Sequence, residues 1–156
     1  MEKSAIVVAE AKALGRQTAF LSHSHHDNVL AKGVQEFLQD MGWIVYIDWE
    51  DTAMPPVPDR TTAARIKEKI VELDWFLFLA TENSMASRWC PWEIGYADGK
   101  KQYDKILIIP TLDDLGRAHG NEYLQLYRRV SDATVGGAGA FDPNATDGTQ
   151  VRYLSR

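Results

Sequence analysis

With 156 residues, the chain is long enough for one hydrophobic core and short for two independent ones. Its 17 basic and 22 acidic side chains leave a formal charge of -5, which repels a phosphate backbone and argues against a nucleic-acid partner. The single cysteine, Cys90, excludes an internal disulfide or a cysteine-rich zinc site and suits a reducing cytoplasm, and the apolar run Ala5 to Ala9 is too short for a signal-peptide core or a membrane span.

Ile6, Val7, Ala11 and Leu14 stand among polar neighbours in residues 4–15, and the pattern stops at Gly15. It predicts a helical N-terminal extension over residues 1–17, packed on the domain or on a second subunit. The domain itself is expected over residues 18–135. Thr18 to Ser22 reads as a short apolar strand. Asp27 then offers an N-cap carboxylate to a helix whose Leu30, Val34, Phe37, Leu38 and Met41 recur at three- and four-residue spacing, with Gly42 placed to end it. Trp43 to Ile47 is β-branched and aromatic, predicting a second strand that runs into Asp48, Trp49, Glu50 and Asp51. Pro55, Pro56 and Pro58 forbid regular pairing between Thr52 and Arg60, so that stretch is a loop.

Ala63, Ile66, Ile70 and Leu73 share one face of the next helix, and Trp75 to Ala80 is apolar at every position, as a central parallel strand covered on both faces requires. Ser87 to Lys101 predicts another helix, with Pro91 tolerated in its first turn, and Lys105 to Pro110 a fourth strand. Glu122 to Val130 reads as helical. Gly136 to Gln150 is rich in Gly, Ala, Asp and Thr, so residues 136–156 read as a flexible C-terminal segment or a last strand. The alternation of strands and helices predicts a three-layer α/β fold with a mostly parallel sheet, and such sheets bind ligands beyond the carboxyl ends of their strands.

The segments that follow the strands are therefore the candidate site: Ser22 to Asp27, Tyr46 to Asp51, Thr81 to Ser84 and the start of the Ser87 helix. On that helix Trp89 and Glu93 stand one turn apart on one face, an aromatic plane beside a carboxylate that suits a sugar and a base. The same spacing also fits a solvated glutamate above a core tryptophan. His23, His25, His26 and Asp27 offer a zinc-binding alternative with hydrolase chemistry, although Asn28 stands where the last histidine of an HxHxDH signature belongs. Cys90 near a helix N-terminus is a candidate thiolate nucleophile. No GxSxG, GxxxxGK[ST] or GxGxxG occurs, leaving serine-hydrolase, phosphate-loop and dinucleotide-type Rossmann readings unsupported.

Four segments, in order, resemble the boxes of Toll/interleukin-1 receptor (TIR) domains, particularly bacterial ones. Phe20-Leu21-Ser22-His23-Ser24-His25-His26-Asp27 is similar to the first box; Gly42 to Asp48 resembles the second strand, with Thr52 to Arg60 as the BB loop; Ser87-Arg88-Trp89-Cys90-Pro91-Trp92-Glu93-Ile94 resembles the S-x-W-x-x-x-E helix start; Lys105 to Pro110 resembles the strand after it. The resemblance implies a flavodoxin-like fold with a roughly five-stranded sheet. It implies cleavage of the nicotinamide-ribose bond of NAD+, which is the substrate, with no separate cofactor and no metal. Glu93 would be the catalytic residue, Tyr46 the aromatic beside the nicotinamide and Trp89 a wall, with Ser22, His23, Ser24, His25 and Asp48 completing the substrate-binding set. It further implies a homo-oligomer built through TIR and BB-loop contacts, and a signalling role akin to that of Thoeris-like antiphage systems, whose product reaches a separate effector. The alternative within the same family is a non-catalytic scaffold for homotypic contacts. The first box here lacks the arginines of some relatives, and the BB loop is unusually rich in proline.

Overall fold

Why the chain forms a covered parallel sheet is plainest at its centre, where Trp75–Ala80 is buried at all six positions in the computed structural model, which describes residues 9–120, 122–132, 138–143, 145 and 148–154. Strand alternation sorts that run onto two faces. Phe76, Phe78 and Ala80 enter one apolar cluster with Phe20, Ile66, Ile70, Cys90, Ile94 and Ala97, whereas Leu77 and Leu79 join Ala19, Leu21, Ala31, Leu38, Trp43 and Val45 in the other. The elements are β1 (Thr18–Ser22), α1 (Asn28–Asp40), β2 (Ile44–Tyr46), α2 (Arg60–Glu72), β3 (Trp75–Ala80), α3 (Glu82–Ala86), α4 (Trp89–Lys100), β4 (Ile106–Pro110), β5 (Arg128–Asp132), β6 (Ala138–Phe141) and β7 (Gly148–Gln150).

The strands lie in the order β2-β1-β3-β4-β5-β6-β7. The first five pair in parallel, which is the flavodoxin-like arrangement expected, and β6 and β7 extend the sheet antiparallel. Because the chain leaves β1 toward β2 and returns to β3 on the other side, the loops after β1 and β3 diverge and leave a cleft between them at the sheet's carboxyl edge.

Several local expectations are corrected. Asp27 precedes α1 but its carboxylate makes no cap bond. It instead accepts from Thr81 Oγ1 at 2.6 Å and Asn83 Nδ2 at 2.8 Å, tying the loop after β1 to the loop after β3. Ser24 caps the short turn His25–Asp27. Leu30 and Phe37, placed on the core face of α1 by spacing, are 43% and 51% exposed; Leu38 is buried as expected, joined by Ala31 and Gln35. Gln35 tolerates burial because its Nε2 donates to Val45 O at 3.0 Å.

The helix read over Glu122 to Val130 is a short 3-10 turn, Glu122–Leu126, followed by β5. Leu124, Tyr127 and Val130 recur at helical spacing, yet the open ladder of β4 claims the stretch, Arg128 pairing with Leu107 and Arg129 with Ile108. The stretch 136–150, which composition marks as loop, holds β6 and β7, with Ala140 and Val151 buried against the second cluster; residues 133–137 lie outside the described residues. Of the N-terminal pattern, residues 9–13 are helical, with Ala11 buried and Lys12 Nζ donating to Glu72 O; residues 1–8 lie outside the described residues. No helix among the described residues is long and apolar enough to cross a membrane.

Val151 is fully buried although it follows the last strand. Val151→Ala is expected to destabilise the domain by about 2 kcal/mol, read from chemical denaturation. An unchanged unfolding midpoint would mean that β6, β7 and the turn after them are peripheral to the cooperative unit.

Candidate active site

The cleft at the switch point is a cavity of about 430 Å³, within the roughly 300–1,000 Å³ usual for small-molecule sites. His23, Ser24, His25 and His26 line it from the loop after β1, and Asp48 from the end of β2. Pro58, Thr62 and Ile66 line it from the proline-bearing loop and α2; Asn83, Ala86 and Ser87 from the segment after β3; and Trp89 and Glu93 from α4. Four stretches far apart in sequence thus converge because each follows a parallel strand or opens the next helix.

Glu93 is brought there by the start of α4. Ser87 Oγ accepts the amides of Trp89 at 3.1 Å and Cys90 at 3.3 Å, fixing the first turn, and Pro91 sits where no amide donor is needed. One turn on, Glu93 faces the cleft and is only 4% exposed. No cation pairs with it among the described residues. Burial first, and the nearby charge of Asp48 second, push its carboxyl well above the usual range, while the Ser22 hydroxyl acts in the opposite direction.

The histidines take unlike roles. Trp49 Nε1 can only donate and reaches His23 Nε2 at 2.9 Å, so the His23 proton is on Nδ1 and is donated to Leu21 O at 3.0 Å. Burial lowers the pKa of this ring, and it stands neutral with both nitrogens engaged. His25 lies at the mouth, its Nε2 3.3 Å from Asp48 Oδ2, and the bond to that carboxylate raises its pKa. The other Asp48 oxygen accepts the Trp49 amide.

Tyr46, expected beside the substrate, is not among the lining residues. Its ring packs on Phe20 in the core at 5.5 Å, and its hydroxyl donates to Asp51 Oδ2 at 2.6 Å. Burial and that bond hold its phenol well above its ordinary value. Burial pushes Asp51 up, but bonds from Arg65 Nε at 2.8 Å, from Tyr46 and from the Ala53 amide outweigh it and hold the carboxylate low. This triad anchors the proline-bearing loop to α2 behind the cavity. Ser22 likewise lies beneath the wall, 1% exposed, next to Glu93 and Cys90. Ser24, His23, His25, Asp48, Trp89 and Glu93 are the sequence-expected residues that the fold brings together.

Two other sequence readings lose their geometry. The zinc alternative needs His23, His25, His26 and Asp27 to converge, but His23 is saturated and Asp27 is committed to Thr81 and Asn83. Among the described residues the one converging group of such ligands is Glu82, Asp113 and His119, where Asp113 already accepts from Arg117 and from the Leu115 and Arg117 amides. Cys90 is wholly buried, and burial pushes its thiol up to about 11, so it is no thiolate nucleophile at neutral pH. Asn83 falls in the expected Thr81 to Ser84 segment, whereas Thr62, Ile66 and Ala86 were missed as lining residues, because the sequence signals only their helix face or position between elements.

A doubly wound flavodoxin-like sheet with a buried acid at its switch point, paired with no cation among the described residues, defines the class: an α/β domain with a cleft of small-molecule size. Residues 19–136 match the TIR domain family, and the chain belongs to it. It is 38% identical over 122 residues, 74% of this chain and 61% of the relative, to the "Probable 3' cyclic ADP-D-ribose synthase ThsB'" of Bacillus cereus strain MSX-D12. It is 26% identical over 98 residues, 61% of this chain and 25% of the relative, to the "Putative cyclic ADP-D-ribose synthase TIR2" of Cytobacillus dafuensis. The match therefore spans about three fifths and one quarter of those proteins' lengths.

The His23 geometry has a measurable consequence. A histidine whose pKa is lowered by folding supports the fold above its ordinary value of 6.5, and that support is lost as pH falls through and below it. Long-range nitrogen-proton NMR is expected to show an Nδ1-protonated ring at neutral pH that titrates below 6.5. Trp49→Phe, which removes the donor and uncovers the ring, should move that midpoint up; a doubly protonated His23 at neutral pH would overturn the assignment.

Proposed function

We propose that this domain breaks the nicotinamide-ribose bond of NAD+, with Glu93 stabilising the ribose as it becomes cationic. The observation that carries the reading is the burial of Glu93 in a cleft where no cation among the described residues pairs with it. Such a carboxyl is held for a ligand that brings its own positive charge, and the pyridinium of NAD+ does so.

When the bond between the anomeric carbon and the ring nitrogen breaks, both electrons go to the nitrogen and nicotinamide leaves neutral. The leaving group needs no proton. What needs stabilising is the oxocarbenium-like ribose, the demand that glycosidases meet with a carboxylate. Glu93 supplies the negative charge, Asp48 adds to it across the cleft, and Trp89 and Ile66 keep water from the reacting face. Attack by water, with loss of its proton, gives ADP-ribose. Attack by a hydroxyl of the same molecule gives a cyclic product, as the names of the two relatives describe for those proteins.

In this reading Tyr46 acts from behind the wall, holding the proline-bearing loop through Asp51, and NAD+ is consumed with no bound cofactor. The domain works in the cytoplasm and self-associates through TIR contacts that include this loop. Its product is a signal in antiphage defence, read by a separate effector.

Incubating the protein with NAD+ and following nicotinamide and ADP-ribose products by chromatography tests the reading. Glu93→Gln is expected to lower nicotinamide release at least about 100-fold while the circular dichroism spectrum is kept. Release that survives Glu93→Gln at the wild-type rate would reject Glu93 as the reacting-site carboxylate.

A further inference from the structure

Ser22 ends β1 after the apolar Ala19, Phe20 and Leu21, with a hydroxyl-bearing side chain only 1% exposed. Its Oγ makes no hydrogen bond of ordinary geometry with the described residues, a state that buried hydroxyls rarely keep. Ser22 turns to the same face of β1 as Phe20, which packs with Cys90 and Ile94 of α4, so the groups beside its hydroxyl are those of that helix, the Glu93 carboxyl and the Cys90 thiol. Cys90 is a weak partner. A buried donor without a settled acceptor therefore lies against a buried acceptor without a cation.

We propose that Ser22 is a positioning residue for Glu93, its hydroxyl turning to donate to the carboxylate once that group ionises, while Asp48 opposes the same ionisation from across the cleft. The proposal rests on Glu93 being the group that must ionise in NAD+ cleavage. The other groups facing Glu93 leave these two in control. His23 is neutral, His25 is turned to the outer oxygen of Asp48 at the mouth, and His26 lines the same cavity from the turn after β1. Thr62 and Ile66 of α2, and Asn83 and Ser87 after β3, carry no charge. Of the cations of α2, Arg65 is engaged by Asp51 and Lys69 by Glu72, Lys67 lies over the rings of Trp92 and Tyr96, and Arg60 is exposed at the helix start. Cys90, on the same helix as Glu93, holds its proton throughout the neutral range.

The signs follow from removing each influence. Ser22→Ala deletes the donor that favours the carboxylate, so the Glu93 midpoint rises; Asp48→Asn deletes the opposing charge, so it falls. Two readouts separate this proposal from the reaction it serves. One is the δ-carbon chemical shift of Glu93 against pH without substrate; the other is the acid limb of the rate of nicotinamide release. Ser22→Ala is expected to move both midpoints up by about one pH unit, Asp48→Asn to move both down, and Ser22→Thr, which restores the hydroxyl, to return the first shift.

A purely structural role for Ser22 would lower the unfolding midpoint in Ser22→Ala and leave the titration where it was, and that result overturns the proposal. If Ser22→Ala leaves the titration fixed while Glu93→Gln abolishes turnover, positioning fails and the cleavage reading stands. If the carbon titrations shift as expected but wild-type protein releases no nicotinamide, the Ser22 assignment stands and the cleavage reading fails.

Discussion

A carboxyl held out of water with no cation beside it works against the stability of any fold, since its charged form loses hydration and gains nothing in exchange. Glu93 is in that position, and the charge of Asp48 faces it besides. Burial and that charge push the carboxyl well above the usual range, which favours its neutral form and lessens the charge the fold must hold out of water. Everything else about the site can be read as the means by which such a carboxyl is kept close to a ligand and away from solvent.

The walls around it are fixed by polar ties across the switch point rather than by apolar packing alone. Asp27 fastens the loop after β1 to Thr81 and Asn83 beyond β3. Trp49 fastens the end of β2 to His23. Tyr46, Asp51 and Arg65 fasten the proline-bearing loop to α2. The first two ties join the carboxyl end of one strand to an element following another, which is where a doubly wound sheet would otherwise leave its loops independent, and the third fastens the segment after β2 to the helix that succeeds it. Removing one partner of the Asp51–Arg65 pair exposes the other to the full cost of an unpaired buried charge, so this tie in particular belongs to stability as much as to shape.

The sheet and its central core were legible in the sequence because they are local patterns. The unbroken apolar run of β3 specifies burial on both faces, and the spacing of Ile66, Ile70 and Leu73 specifies the inner face of α2. Trp89 and Glu93 were legible for the same reason, being one helical turn apart. What was not legible depends on partners distant in sequence. The pleat of β2 turns Tyr46 into the core, where Phe20 and Asp51 receive it, and no local signal distinguishes that from a ring facing a ligand. Asp27 has a cap residue's position but was claimed by a loop more than fifty positions away. The segment after residue 120 became strand because β4 offered an unpaired edge, and each new strand then offered the next.

The two apolar clusters also divide the chain's tolerance to change. Phe20, Phe78, Cys90, Ile94 and Ile66 belong to the cluster between the sheet and the helices α2 and α4, so the volume of these side chains sets where the first turns of α4 lie against β1 and hence how deeply Glu93 sits. Trp43, Leu77, Leu107 and Val151 belong to the opposite face, under α1, where an apolar groove of about 390 Å³ runs beside the exposed Val29, Leu30 and Phe37. A change of volume there alters stability without a direct route to the carboxyl, because β1 and β3 stand between. The same strand alternation that builds the core therefore separates residues that tune the cleft from residues that only hold the domain together. The separation comes down to parity along β1 and β3: Phe20 and Phe78 turn one way, Leu21 and Leu77 the other.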